Sequence, residues 1–169
     1  MAALKWSTSD AVWIEEVDDE HKEIFAAIAG FQTLLGTGSR EEIRESLGRL
    51  TSAVSEHFAH EERLMRASRY YSLSWHKGLH DAALRKVRYF ADGIEQGDTG
   101  AARAMVKYLR SWLRTHTRLA DRMMGAYLRN EQRSLGKIVF RAGTKAADAC
   151  GWVDSAGNRF DPTTTHNGL

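Results

Sequence analysis

A histidine and a glutamate four residues apart, His57 and Glu61, occupy positions where a buried helix face would ordinarily carry leucine. The apolar positions around them alternate in spacing between four and three, which is typical of a helix packed into a bundle. These positions are Ile43, Leu47, Leu50, Val54 and Leu64. A buried carboxylate without a partner destabilises a fold, and a cation shared by two side chains on one helix face removes that cost. A polar pair satisfied within the core is the alternative for this stretch alone.

Histidines occur at equivalent positions in the other predicted helices. His21 lies in the first turn of the first helix, and His57 lies in the last third of the second. His76 and His80 lie in the opening turns of the third helix, and His116 lies in the second half of the fourth. When helices alternate in direction, the starts of the first and third meet the ends of the second and fourth. The sequence therefore places all these side chains at one end of one core.

Five imidazoles and a carboxylate in a dry interior cannot all satisfy one another by hydrogen bonding. Metal coordination satisfies them, and the number of ligands exceeds what one four-coordinate zinc takes. Asp121 is a second carboxylate, but it follows His116 by five residues, about 140° round an α-helix. Asp121 could still reach the centre from the edge of the buried face, although spacing alone does not show this, and Glu61 and Asp121 bridging two metals would make a dinuclear site. Imidazole and carboxylate without thiolate suit iron, with manganese and zinc as alternatives.

Four helices with short connections position these residues. The predicted fold is all-α, an up-down-up-down four-helix bundle with an N-terminal arm and a C-terminal extension. Caps and glycines predict the helix limits: an Asp18 or Asp19 cap to Gly36, a Ser39–Glu42 capping box to Ser68, a Ser72 or Ser74 cap to Gly97, and an Asp98 cap to Asn130. Residues 1–17 are predicted to form the arm, with Trp6 and Trp13 as its anchors.

The extension has a different character from the bundle. Residues 131–169 keep no helical period, so we expect one domain over 1–130 and an extension of unknown role beyond it. Val139-Phe140 and Trp152-Val153 are candidates to pack onto the bundle. Residues 151–154 and 158–160 are candidates for a β-hairpin. Neither Cys150 nor His166 is assigned a role.

Composition excludes several classes of protein. The 24 basic and 22 acidic residues nearly cancel, and no basic block predicts nucleic-acid binding. No apolar run is long enough to span a bilayer, and the N-terminus has no hydrophobic signal core. One cysteine excludes an internal disulfide framework. We expect a soluble, cytoplasmic protein with no nucleic-acid or membrane partner.

Over about residues 4–130, the ordered set of motifs resembles the hemerythrin family, and the match to the bacterial hemerythrins is close. The motifs are Trp6-Ser7, Val17-Asp18-Asp19-Glu20-His21-Lys22, His57-Phe58-Ala59-His60-Glu61-Glu62-Arg63-Leu64-Met65, His76-Lys77-Gly78-Leu79-His80, Trp112-Leu113-Arg114-Thr115-His116 and Asp121. One His-x-x-x-Glu or His-x-x-x-His pair is a weak signal, whereas the full ordered set is specific.

The resemblance implies a non-haem centre of two iron ions, bridged by an oxo or hydroxo group, that binds O2 reversibly. It assigns His76, His80 and His116 to one iron, His21 and His57 to the other, and Glu61 and Asp121 to both. The second iron would keep an open position for O2. Trp112 and Leu113 match the family's apolar lining near that pocket, and Phe58 adds to it.

The chain departs from the family pattern at two positions. Trp13 stands where the family usually has glycine, which predicts a different course for the arm. Thr117 stands where a larger aliphatic residue is usual, which predicts a looser pocket. Near the motifs, we expect Asp18 to be a cap rather than a hydrogen-bond partner of the site. His60 is expected at the surface or just outside the ligands, and Glu62 is expected to point outward in a surface salt bridge.

Three functions compete at this point. The first is O2 binding as a carrier, a store or a sensor, and the second is a di-iron oxidase, peroxidase or nitric-oxide-handling enzyme. Five histidines and two carboxylates are less anionic than the paired Glu-x-x-His sites of O2-activating bundles. Such a set stabilises high-valent iron less well, which favours reversible binding over an enzyme. The third is an interaction bundle without metal. A sensor would need an unknown signalling partner, because no kinase, cyclase or methyl-accepting segment accompanies the domain.

Overall fold

Four long helical segments form the described part of the protein. The computed structural model describes residues 4–135 together with two short strands, Val139–Phe140 and Trp152–Val153. The helices are α1 Glu15–Thr37, α2 Arg40–Ala67, α3 Leu73–Glu95, α4 Thr99–His116 and α5 Arg122–Leu135, with a π-helical turn, Thr117–Asp121, joining α4 to α5. A single 3₁₀ turn, Thr8–Asp10, lies in the arm. Each bundle helix packs against the next along the chain, and α1 also packs against α4, so the predicted all-α four-helix bundle is confirmed.

The predicted caps of the second and fourth helices are present. The Ser39 N–H donates to the Glu42 carboxylate at 2.7 Å, and the Ser39 hydroxyl accepts from the Glu42 N–H at 3.3 Å. The Asp98 carboxylate accepts from the N–H groups of Gly100 and Ala101, at 2.7 and 3.2 Å. Gly97 has a φ of 86°, a conformation that glycine adopts without strain, and it directs the chain from α3 into α4.

The prediction that Asp18 or Asp19 caps α1 is wrong. The helix begins at Glu15, and Asp18 lies inside its first turn. Its buried carboxylate accepts hydrogen bonds from the N–H groups of Val12 and Trp13, at 2.8 and 3.0 Å. Asp18 therefore ties the arm to α1, a role that depends on where the arm runs and that spacing along one helix does not indicate.

Trp13 does not anchor the arm as predicted. Its side chain is 61% exposed, and its φ of 65° places a bulky residue in the left-handed region. Trp6, the other predicted anchor, is partly buried against the core. The arm is held near Trp13 by its backbone, because the N–H of residue 13 donates to Asp18.

The core consists of two apolar clusters on either side of a polar layer. The larger cluster contains Phe58 and Leu113, and the smaller contains Leu64 and Met124. On α2, His57 and Glu61 lie at the boundary between the two clusters, and the other buried histidines occupy the corresponding level of their helices. The apolar clusters thus enclose the polar residues from both ends, away from water.

The two short strands pair with each other. Val139 is opposite Val153 and Phe140 is opposite Trp152, in antiparallel register. Residues 158–160, predicted as a hairpin strand, lie outside the described residues, as do Cys150 and His166. Within the described part of the chain, no helix is long and apolar enough to cross a membrane.

Candidate metal centre

The structure brings all seven predicted ligand side chains together at one end of the bundle. Every one of them is buried, and the most exposed, His116, has an exposed fraction of 5%. They form two groups in which the candidate ligand atoms lie within 4.8 Å of one another. The three-histidine group is Glu61, His76, His80, His116 and Asp121, and the two-histidine group is His21, His57, Glu61 and Asp121. Both carboxylates belong to both groups.

Glu61 lies between the histidines of α2 and α3. Its Oε2 atom is 3.1 Å from Nε2 of His80, 3.5 Å from Nε2 of His76 and 3.8 Å from Nε2 of His57. One carboxylate oxygen thus faces imidazoles of both groups. This is the placement that a carboxylate needs in order to bridge two cations.

Asp121 has the same relation to the remaining helices. Its Oδ1 atom is 3.0 Å from Nε2 of His76 and 3.0 Å from Nε2 of His116, and its Oδ2 atom is 3.2 Å from Nε2 of His21. Each oxygen of Asp121 therefore faces a different group.

A change of helix type explains how Asp121 reaches the cluster, which residue spacing alone did not show. The backbone between His116 and Asp121 is a π-helical turn, Thr117–Asp121. Such a turn closes with i→i+5 hydrogen bonds and holds one more residue than an α-helical turn. Residues five apart are consequently brought toward the same direction, and Asp121 points inward beside His116. Turns of this kind occur often at functional sites.

The polar atoms of the cluster are not satisfied by one another. Both nitrogens of His21, Nε2 of His57 and all four carboxylate oxygens of Glu61 and Asp121 lack a well-aligned hydrogen bond within the described residues. Buried polar groups without partners are costly and rare. In addition, Nε2 of His116 lies 3.1 Å from Nε2 of both His76 and His80. Three imidazole nitrogens converging on one point fit coordination to a cation, and the donor set as a whole fits two.

The charges of the cluster also favour a cation. Burial alone would raise the pKa of the Glu61 and Asp121 carboxyls, but the surrounding histidines hold both pKa values well below their usual range. Burial alone would lower the pKa of His76, but its contacts with Asp121 and Glu61 raise that pKa to about 9. In the metal-free protein the two carboxylates therefore hold a proton on His76, which a bound cation would replace.

Two of the predicted lining residues stack on ligand imidazoles. The Phe58 ring lies parallel to His80 with 4.0 Å between centroids, and the Trp112 ring stacks on His116 at 4.2 Å. Phe58 also lies 5.3 Å from Trp112. Leu113 is buried in the same apolar cluster as Phe58. These side chains fix the ring planes of two histidines and separate them from solvent.

Glu20 makes a contact with the cluster that the sequence did not predict. Its Oε2 atom is 2.9 Å from Nδ1 of His57, and its Oε1 atom is 2.8 Å from Nδ1 of His60. Burial alone would raise the pKa of Glu20, but these two hydrogen bonds lower it to about 2, so it is a carboxylate. His60 lies outside the ligand groups with 22% of its side chain exposed. The available signal was the position of Glu20 next to His21.

The prediction that Glu62 points outward is wrong. Only 12% of its side chain is exposed, and its Oε1 atom lies 3.6 Å from Nδ1 of His80. It does form salt bridges, to Arg66 at 2.8 Å and to Lys77 at 3.6 Å. Glu62 therefore packs behind a predicted ligand while its charge is balanced by two cations.

Thr117 is fully buried in the π-helical turn. Its hydroxyl has no hydrogen-bond partner among the described residues. Thr117 thus fills a buried position next to His116 with a polar side chain that is shorter than the aliphatic residue usual in the family.

Comparison with known proteins identifies the family. The family model described as the hemerythrin HHE cation binding domain matches residues 13–128, and the chain belongs to this family. A 76-residue segment, 45% of the chain, is 32% identical to hemerythrin subunit 1 of Golfingia vulgaris and 36% identical to hemerythrin of Themiste dyscrita. These matches span 60% and 61% of the two relatives.

The fold comparison extends further along the chain. The structure of a wild-type hemerythrin superposes with a TM-score of 0.70 at 26% sequence identity, over 75% of this chain and 98% of that one. The structure of a hemerythrin point mutant gives the same score and identity, over 76% of this chain. The family and the buried cluster of histidines and carboxylates together define a cation-binding four-helix bundle.

Proposed function

We propose that the protein binds O2 reversibly at a centre of two iron ions, as an oxygen carrier, store or sensor. The observation that supports this most is the sharing of Glu61 and Asp121 between a three-histidine and a two-histidine group. A single cation would leave histidines of one group unpaired. Membership of the hemerythrin family supports iron over the other metals that this donor set accepts.

The seven side chains divide between the two ions by proximity. His76, His80 and His116 would hold one iron, and His21 and His57 would hold the other. The shared carboxylates, together with an oxo or hydroxo group, would bridge them. The iron pair supplies the electrons for reversible binding of O2. With fewer histidines, the second iron would keep the open position.

The contribution of the protein is to keep water away from this position. Phe58 is buried with its ring 5.8 Å from that of His57, Leu113 is buried in the same apolar cluster, and Trp112 lies 5.3 Å from Phe58. By excluding water and protons, this apolar wall would favour release of O2 as such over its release as hydrogen peroxide, which would leave both irons oxidised.

The test is the absorption spectrum of protein reconstituted anaerobically with ferrous iron, together with metal analysis. We expect about two irons per chain, colour on aeration, and bleaching when O2 is removed. Glu61→Ala removes a ligand shared by both groups, so it should lose bound metal and the thermal stability that metal confers. Glu56→Ala removes an exposed glutamate of the same helix that hydrogen-bonds Ser52, and it should retain both.

Two outcomes would reject the proposal. One is parent protein that holds one iron or none after reconstitution. The other is protein that never forms a reversible oxygenated spectrum but turns over peroxide, which would identify an enzyme instead.

A further inference from the structure

Two carboxylates that are not predicted ligands each face Nδ1 of a predicted ligand histidine. Nδ1 is the outer ring nitrogen, the one that points away from the cluster. Glu20 on α1 contacts His57 of the two-histidine group, and Glu62 on α2 approaches His80 of the three-histidine group. The contacts differ in length and in the charges around them. That difference bears on how tightly each group holds its ion.

The Glu20 contact is short and is not balanced by a basic side chain. Its Oε2 atom is 2.9 Å from Nδ1 of His57. Within the described residues, the ion pairs of Glu20 are to His57 and His60 only, and no lysine or arginine lies within salt-bridge distance. Because the carboxylate only accepts, the proton must sit on Nδ1 of His57. The Nε2 lone pair of His57 is then free to face Glu61 and a cation.

The Glu62 contact is long and is balanced by bases. Nδ1 of His80 is 3.6 Å from Glu62, beyond hydrogen-bond distance. Arg66 and Lys77 both lie within ion-pair distance of the same carboxylate. Arg66 and Lys77 therefore largely neutralise the charge of Glu62, which interacts only weakly with His80.

We propose that Glu20 is the positioning residue of the two-histidine subsite, the metal position formed by the two-histidine group. The affinity of this subsite for its ion depends on Glu20, whereas the affinity of the three-histidine subsite does not. A histidine that donates its outer N–H to a carboxylate is held in one tautomer and orientation and binds metal more strongly. The two-histidine subsite has one fewer imidazole, so it depends more on each. This inference rests on the proposed two-metal centre.

His60 extends the arrangement to the surface. Its Nδ1 atom is 2.8 Å from the second oxygen of Glu20, so it orients the carboxylate toward His57. Loss of His60 should weaken the same subsite, but less than loss of Glu20.

The experiment is an anaerobic titration of metal-free protein with cobalt(II), followed by visible absorption, with bound metal measured after dialysis. We expect two cobalt ions per parent chain and one per Glu20→Ala chain. In Glu20→Gln the amide oxygen can still accept from Nδ1 of His57 but the charge is lost, so the second ion should bind about 10- to 100-fold more weakly. His60→Ala should fall between Glu20→Gln and the parent. Glu62→Ala and Glu56→Ala should each bind two ions as the parent does.

The outcomes separate this inference from the proposal on which it rests. If the parent itself binds fewer than two ions, the two-metal centre is rejected. If the parent binds two and both Glu20 variants bind two at parent affinity, the role of Glu20 is rejected. Loss of both ions together in Glu20→Gln would also overturn it, because that would show a general rather than a subsite effect. Helical circular dichroism of each metal-free variant shows that it folds, and Glu20→Gln decides the result where Glu20→Ala does not fold.

Discussion

Asp121 lies 3.0 Å from His116, measured from Oδ1 to Nε2, although five residues separate them along one continuous helical segment. An uninterrupted α-helix would direct the two side chains about 140° apart. The π-helical turn between them removes that difference and adds a carboxylate to the buried cluster. The site is therefore built partly by a local departure from the regular structure of the bundle.

The strained residue in the arm leads to a stability prediction. Trp13→Gly should raise the free energy of unfolding by about 1 kcal/mol, because glycine adopts a φ of 65° without the Cβ clash that costs other residues about 1–2 kcal/mol. The exposed indole loses little packing, and the N–H bond to Asp18 is retained. Urea unfolding of the metal-free protein measures the change.

The matched control is Trp13→Ala, which removes the indole but keeps the Cβ. It should show no such gain. Equal stabilisation by both variants would mean that the indole, rather than the backbone strain, destabilises the protein.

The close approach of the arm to α5 leads to a second prediction. A Cβ on Gly125 would clash with the carbonyl oxygen of Val12, so Gly125→Ala must displace the arm. We expect a loss of about 1–3 kcal/mol in unfolding free energy, as for other overpacked sites. Gly48→Ala, where a Cβ meets nothing within 4 Å, should instead gain up to about 1 kcal/mol from helix propensity. A gain in both variants would show that Val12 does not pack on α5.

The helices and the residue types of the buried cluster could be predicted from the sequence because both are encoded locally. The Ser39–Glu42 capping box and the four-residue spacing of His57 and Glu61 are features of one helix each. The buried histidines and carboxylates converge because the four helices alternate in direction, as their short connections require.

The details that the sequence did not reveal depend on contacts between elements. Asp18 has the residue type and position of a cap, but the arm supplies the N–H groups that it binds. Glu20 and Glu62 approach imidazoles on other helices, at distances set by how those helices pack. The π-helical turn has no signal in residue spacing, because it is defined by backbone hydrogen bonds rather than by side-chain type.

Asp10 leads to a prediction about pH. Burial alone would raise its pKa, but hydrogen bonds from Arg118 at 2.7 Å and from Ser7 at 3.0 Å lower it below the ordinary value. A group whose pKa is lower in the folded state stabilises the fold above its unfolded pKa and loses that contribution as the pH falls. Between about pH 6 and about pH 3, the parent should therefore lose more stability than Asp10→Asn does.

The measurement for Asp10 is the difference in urea midpoint between parent and variant across this range. Other carboxylates titrate in both proteins and cancel in the difference. A difference that stays constant with pH would show that the carboxylate of Asp10 does not contribute.

The apolar wall of the proposed O2 site leads to a prediction about oxidation. Leu113→Ala should speed conversion of the oxygenated protein to the di-ferric form while leaving two irons per chain, because it opens space in the apolar cluster that contains Phe58. Leu109→Ala, one turn further from the site and equally buried, is the control. Both variants should lose about 2–5 kcal/mol of stability, but only the first should shorten the life of the oxygenated spectrum. Equal decay rates in the two would contradict a guarding role for Leu113.

The C-terminal extension leads to the last prediction. Truncation after Leu135 should leave metal content unchanged, because every predicted ligand lies at or before Asp121. Metal analysis of full-length and truncated protein after identical reconstitution tests this. Loss of iron from the truncated protein would show that the extension contributes to the site.

The extra residue in the π-helical turn changes the direction in which the side chains of α5 point relative to those of α4. Arg122 donates to the Ser9 carbonyl, and Gly125 faces the Val12 carbonyl, so α5 receives the arm along a face whose direction the turn sets. If residues 117–121 formed a regular α-helical turn instead, α5 would be rotated by about 100° relative to α4. Asp121 would leave the cluster, and the arm would lose its contacts with α5. The candidate metal centre and the attachment of the N-terminal arm therefore depend on the same turn.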